Sequence, residues 1–226
     1  IEHMPLYFTK KDLYTAVDNI RKAHRVPITD VSVCIRDFLD HYIPVEVKTL
    51  PFESRYLRGI LSFGVGDESD IILLNENRTS NEQNFDCTHE FMHLMLHRSQ
   101  LPQTFSCSDN VQEKQNSYLE WHANEGAAQF LMPYQDFIPR FLDYFNFNRF
   151  NGYDIRDELA EFYHVTPQVI HHRIDSLNYE IWQYEQGIPF DNIQILSKAQ
   201  RQKNGIIDIA YNFGCDFPYL WDSISG

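Results

Sequence analysis

The chain has 226 residues, 32 of them acidic against 19 basic, for a formal net charge of −13. That balance opposes non-specific binding to nucleic acid or to an anionic membrane surface. No run approaches the roughly 18 apolar residues of a bilayer-spanning helix, and the length suits one domain with a good core and at most a small appended lobe.

Residues 9–24 read as an amphipathic helix, with Leu13, Ala16, Val17 and Ile20 at helical spacing. Thr29 or Asp30 is placed to cap a second helix that runs to about His41 and stops before Pro44. Val45-Glu46-Val47 alternates like a strand. Residues 56–63 and 70–75 read as two more strands, joined through the turn Gly64-Val65-Gly66-Asp67. Residues 75–80 form a polar loop, and a helix follows from about Asn81. Residues 100–110 read as loop, and residues 113–131 as a buried helix that ends before Pro133. The Phe- and Tyr-rich residues 134–150 predict another helix, with the Phe137 to Phe150 aromatics in the core. Residues 159–162 and 167–177 predict a helix pair, with Thr166 as N-cap and Pro167 at the first helical position. Lys198, Arg201 and Lys203 read as a basic patch on solvated helix surface, and Phe217-Pro218-Tyr219-Leu220-Trp221 as an anchor that docks back on the domain. The expected class is α+β: a helical bundle packed on a small, mostly antiparallel three-stranded sheet.

Four cysteines (Cys34, Cys87, Cys107, Cys215) are scattered without a CxxC pair, which fits a reduced, cytoplasmic protein. The opening Ile1-Glu2-His3-Met4 lacks a basic-then-apolar leader pattern and reads as a vector scar ahead of Met4.

The chemistry concentrates in His89-Glu90-Phe91-Met92-His93-Leu94-Met95-Leu96-His97. His89 and His93 are four apart, so on a helix their imidazoles stand roughly 40° apart on one face, one turn from each other. That is a pincer for one tetrahedral Zn²⁺. Glu90 projects beside the pair, where it can take a proton from water that the metal activates. The apolar residues around the motif bury it, and two histidines and a glutamate in an apolar helix are costly unless something pairs with them. Cys87 is a weaker ligand candidate, since it lies about 200° round the helix from His89.

A catalytic zinc needs a third protein ligand and an open corner. The candidates are His97, Glu120, His122 and Glu125. His97 lies roughly 12 Å along the axis from His89, too far to share one ion on an unbroken helix, and suits a supporting role behind a ligand. On the helix of residues 113–131, Ala123, Asn124, Ala127 and Leu131 fall within about 60° of the Glu120 face, and the alanines allow close approach. Glu125 points roughly 140° away and His122 about 200° away. Glu120 is therefore the expected third ligand, with Glu125 in reserve. Asn124, one turn on, can hydrogen-bond a ligating histidine and fix its tautomer.

These pieces resemble the ImmA/IrrE family of metallopeptidases. The matching segments are Ile71-Ile72-Leu73-Leu74-Asn75, the HExxH stretch with Leu94-Met95-Leu96-His97, then Glu120-Trp121-His122-Ala123-Asn124 and Phe130-Leu131-Met132-Pro133, with a trailing match over Leu159-Ala160-Glu161-Phe162 and Val165-Thr166 to Arg173. The resemblance covers about residues 45–177, and departs from many members at His122, where they carry Glu. It implies a zincin-like fold over residues 4–183, one Zn²⁺ per chain held by His89, His93 and Glu120, and Glu90 as catalytic base. Residues 184–226 become an extension of unassigned role. The family also implies regulatory cleavage of a specific protein, a transcriptional repressor of a phage or mobile element, with no direct nucleic-acid binding. The donor that stabilises the oxyanion is not assigned; His97, or a Tyr or His after Pro133, is a candidate.

Two other classes compete. In one, the helix pair at 159–177 is a DNA-binding helix-turn-helix presenting Gln168, His171, His172 and Arg173; the acidic charge opposes it. In the other, a non-catalytic zinc module binds a repressor or a partner toxin without cutting it, although such a site has no need of Glu90. A zinc hydrolase of another substrate ranks below both.

Overall fold

The computed structural model describes residues 8–54, 56–108, 116–148 and 154–206. Along the chain lie α1 (Lys10–Ala23), α2 (Ile35–Tyr42), β1 (Val45–Leu50), β2 (Leu57–Ser62), β3 (Asp70–Asn75), α3 (Ser80–Leu96), β4 (Thr104–Ser108), α4 (Ser117–Leu131), α5 (Tyr134–Asn148), α6 (Ile155–Tyr163), α7 (Pro167–Glu185) and α8 (Lys198–Lys203). None of the described helices is long and apolar enough to cross a membrane.

The helix starts follow local chemistry. Thr9 caps α1 and Thr79 caps α3, each in a reciprocal box with the acid three residues on, Asp12 and Glu82. Thr166 caps α7 ahead of Pro167. The expected cap at Thr29 or Asp30 is not used. Helix α2 begins at Ile35 after Cys34, whose side chain makes no capping bond. Asp30 instead adopts a left-handed backbone with φ 56°. Its N–H donates to Asp136 and its carboxylate pairs with Arg140. A tertiary clasp onto α5 has displaced the capping role.

The α+β class holds, but among the described residues the sheet has four strands rather than three, in the order β1-β3-β2-β4. β2 pairs antiparallel with β3 and with β4, while β1 runs parallel to β3. The added strand, β4, comes from residues expected to be loop. Its inward residue Cys107 is buried, while Thr104 at its start is exposed, a period-2 pattern too short and polar to stand out.

Gly59, Leu61, Ile72 and Leu74 on the central strands are buried beneath α3. On α3 itself every side chain from Asp86 to Leu96 is buried except Met95. Helix α4 closes over α3 from the other side, through Ala123 and Ala127, both fully buried. The chain after α7 folds back: Ile193 and Ile195 join the core, and Gln183 and Gln194 exchange two hydrogen bonds of 2.9 Å. Arg201 of the expected basic patch is buried against Asn178 rather than solvated. The anchor at residues 217–221, Cys215, residues 1–4 and the end of the aromatic stretch at 149–150 lie outside the described residues.

Candidate metal centre

The two motif histidines occupy adjacent turns of α3, and their Nε2 atoms face each other at 3.0 Å. Glu120, in the first turn of α4, straddles them. Its Oε2 is 3.4 Å from His89 Nε2 and its Oε1 3.4 Å from His93 Nε2. Cys107 arrives from β4. One donor atom from each of His89, His93, Cys107 and Glu120 lies within 4.8 Å of the others, and together they form a buried group able to hold a metal ion.

Hydrogen bonds behind the imidazoles set which nitrogens carry protons. His89 Nδ1 lies 2.9 Å from Asn124 Oδ1. An amide oxygen only accepts, so His89 donates from Nδ1 and its Nε2 is a bare lone pair. His93 Nδ1 is 2.9 Å from His97 Nδ1, and His97 Nε2 is 3.3 Å from His122 Nδ1. With a lone pair at its Nε2, His93 donates to His97, which in turn donates to His122. Burial pushes His89 and His122 down to about 4 and His97 to about 3, so these rings are neutral near pH 7.

These residues fit a divalent ion. The two Nε2 atoms stand 3.0 Å apart and each lies 3.4 Å from an oxygen of Glu120, a spacing at which one cation can take a lone pair from each group. Oε1 of Glu120 is buried with no hydrogen-bond partner, as are both carboxylate oxygens of Glu90. A cluster of acceptors without donors is the polarity a cation corrects.

Glu90 is fully buried, with its carboxylate against the sheet. Burial pushes it up to about 8, partly offset by the Cys107 thiol beside it and by the charge of Arg58. Neither oxygen receives a well-directed bond. Its seat exists because β2 carries Gly59 there: a Cβ at Gly59 would fall 2.7 Å from Glu90 Oε1. Gly59 and Cys107 are cross-strand partners, so both sit at the level of the carboxylate. Two residues along from Cys107, the Phe105 ring packs 5.1 Å from His93, centroid to centroid.

A protein-family model, Peptidase_M78, the IrrE N-terminal-like domain, matches residues 41–175. The chain belongs to this family. No curated protein matches it. The matched M78 segment holds both motif histidines, Glu90, Glu120 and the whole sheet.

Within the M78 segment, the expected residues His89, Glu90, His93 and Glu120 come together, with Asn124 behind His89 and His97 behind His93. Other candidates lie elsewhere. Glu125 turns away into a network with Tyr14, Arg173 and Ser176. His122 reaches the centre only through His97. Cys87 is fully buried in the core, outside the metal-ligating group. Tyr134, the first residue after Pro133, stacks on Tyr14 and packs against Phe190, so it does not face the centre. Cys107 and Gly59 were missed by sequence reasoning. The alternation around Cys107 and a lone glycine inside a strand were the only signals for them.

Proposed function

We propose that this M78 domain is a zinc-dependent endopeptidase, cytoplasmic, that makes a regulatory cut in a specific protein, a transcriptional repressor of a phage or mobile element. One observation carries the enzymatic part: a buried carboxylate without donors, Glu90, stands beside a cage of His89, His93 and Glu120. His89, His93 and Glu120 hold the metal. When bound, it supplies a Lewis acid that activates water and polarises the scissile carbonyl.

The protein's own groups do the rest. Glu90 removes a proton from the attacking water and delivers it to the leaving amine, a role suited to a carboxyl whose pKa burial has drawn up towards neutrality. Gly59 fixes where that carboxylate stands. Asn124 and His97 hold the two ligand rings in the tautomers that present Nε2. Strand β4 pairs with β2, is the outermost strand among the described residues and lies beside the centre. An extended substrate segment pairing with that strand brings its backbone to the metal. A repressor's basic DNA-binding surface is attracted by a chain of charge −13.

The test is incubation of the zinc-loaded protein with the helix-turn-helix repressor encoded beside its gene, with products read by mass spectrometry. Glu90→Gln keeps stoichiometric zinc and loses about 10²–10⁴ of the turnover; undiminished cleavage by the zinc-replete variant refutes the role. His93→Ala and Glu120→Ala lose stoichiometric zinc.

One observation favours a second reading, a binding module that holds zinc without cutting: Cys107 is a fourth protein donor at the cage. A repressor bound but left intact selects it. The helix-turn-helix reading is opposed by Arg173, which is buried and bonded to Gln129 and the Met132 carbonyl, not presented to a groove.

A further inference from the structure

The metal reading leaves Cys107 without a function, and a buried cysteine is most often only a small apolar residue. Three features set this one apart. Its sulfur belongs to the same cluster as the ligand atoms of His89, His93 and Glu120, all within 4.8 Å of one another. Among the other donors the two Nε2 atoms stand 3.0 Å apart and each lies 3.4 Å from one oxygen of the Glu120 carboxylate, near the roughly 3.2–3.8 Å edges of a tetrahedron built on zinc bonds of 2.0–2.3 Å. The Glu90 carboxylate beside it is fully buried and neither of its oxygens has a well-directed donor, so the sulfur stands among acceptors.

We infer that in the resting protein the Cys107 thiolate is the fourth ligand, closing the centre as a two-histidine, one-glutamate, one-cysteine cage. The inference rests on the metal reading above and deepens it: the corner that catalysis needs is filled by the protein until Cys107 withdraws. Loading exchanges the S–H bond for a sulfur–metal bond and releases the proton to solvent. Opening breaks that bond, returns a proton from solvent to the thiol and gives the corner back to water. The ligand sits on β4, the outermost strand among the described residues, so a displacement of that strand moves the residue that blocks the centre.

The full-length protein is stripped of metal and titrated with Co²⁺. A thiolate ligand adds an intense near-ultraviolet charge-transfer band to the visible bands of tetrahedral cobalt. Wild type is expected to take up one equivalent and show both. Cys107→Ser is expected to keep one equivalent and the visible bands, lose the near-ultraviolet band and bind zinc about tenfold more weakly. Cys34→Ser and Cys215→Ser keep the band. Zinc K-edge absorption of the wild type, which needs no variant to fold, shows one sulfur at about 2.3 Å. A wild-type protein with one equivalent of metal but no sulfur in its shell overturns this inference and leaves the metal centre standing, as does a charge-transfer band that survives in Cys107→Ser. Failure to bind any cobalt overturns the metal reading itself.

Discussion

Helix α4 carries two glutamates five residues apart, Glu120 partly buried and Glu125 buried, and their surroundings are opposites. Glu125 accepts from Arg173 at 3.1 Å, from Ser176 at 2.8 Å and from the Tyr14 hydroxyl. Arg173 in turn donates to Tyr14 at 2.7 Å, to Gln129 at 2.6 Å and to the Met132 carbonyl. Burial raises the Glu125 carboxyl, but the charges of Lys10 and Arg173 and the bonds from Tyr14 and Ser176 outweigh it and hold it ionised. Around Glu120 the balance fails. Acceptors face acceptors, and oxygens of Glu90 and Glu120 have no donor. The Glu125 network is complete and joins α1, α4 and α7; the Glu120 cluster is incomplete without something from outside. Burial and charge do not by themselves mark a site. The unbalanced set of donors and acceptors does.

That contrast breaks first at Arg173. Arg173→Ala removes the guanidinium bonded to Glu125 and leaves the carboxylate to Tyr14, Ser176 and the charge of Lys10, and stability to denaturant should fall by about 3–5 kcal/mol. Glu120→Ala in metal-free protein should cost far less, since it removes an acceptor that has no donor. Equal losses in the two variants would erase the distinction. Gly59→Ala sharpens it next. The new methyl must push the Glu90 carboxylate out of position, so turnover should drop by about a hundredfold with zinc content unchanged. Asn124→Ala frees His89 to adopt the wrong tautomer, and zinc affinity measured against a chelator should fall ten- to a hundredfold, about 1.4–2.7 kcal/mol.

The smallest effect is in the pH dependence of the stripped protein. Glu90 has its folded-state pKa raised to about 8, above the unfolded value. Its contribution is therefore fully present below pH 4.5 and is lost as pH rises through about 8. Between pH 7 and 9.5 metal-free wild type should lose about 1–2 kcal/mol more than metal-free Glu90→Gln. Parallel melting curves for the two proteins would show that Glu90 bears no such burial cost.

The motif helix, the second helix and the identity of Glu120 were legible because helical geometry converts spacing into direction. His89, His93 and Glu120 needed only the 100° step and a face lined with alanine. The same logic placed Asn124 behind the His89 ring and His97 behind the His93 ring. What escaped depended on pairing across the chain. Cys107 reaches the centre only because β4 aligns it with Gly59, and Thr-Phe-Ser-Cys-Ser has too few apolar residues to announce a strand. The parallel β1–β3 pairing was equally invisible, since alternation within a strand says which face is buried and nothing about its neighbour's direction. Asp30 has the composition of a helix cap, but a left-handed turn and a contact with α5 from a hundred residues away claimed it.

At Gly126 a Cβ would come within 3.1 Å of the Met92 sulfur, where α4 meets α3. The histidines ride on one of these helices and the glutamate on the other. The bare backbone at position 126 thus works as a caliper: it sets how closely the two helices approach, and with it the spacing of His89 and His93 from Glu120. Enlarging this residue forces either the Met92 thioether aside or the two helices apart, so the meeting of the motif helix with its neighbour depends on an atom the protein leaves out.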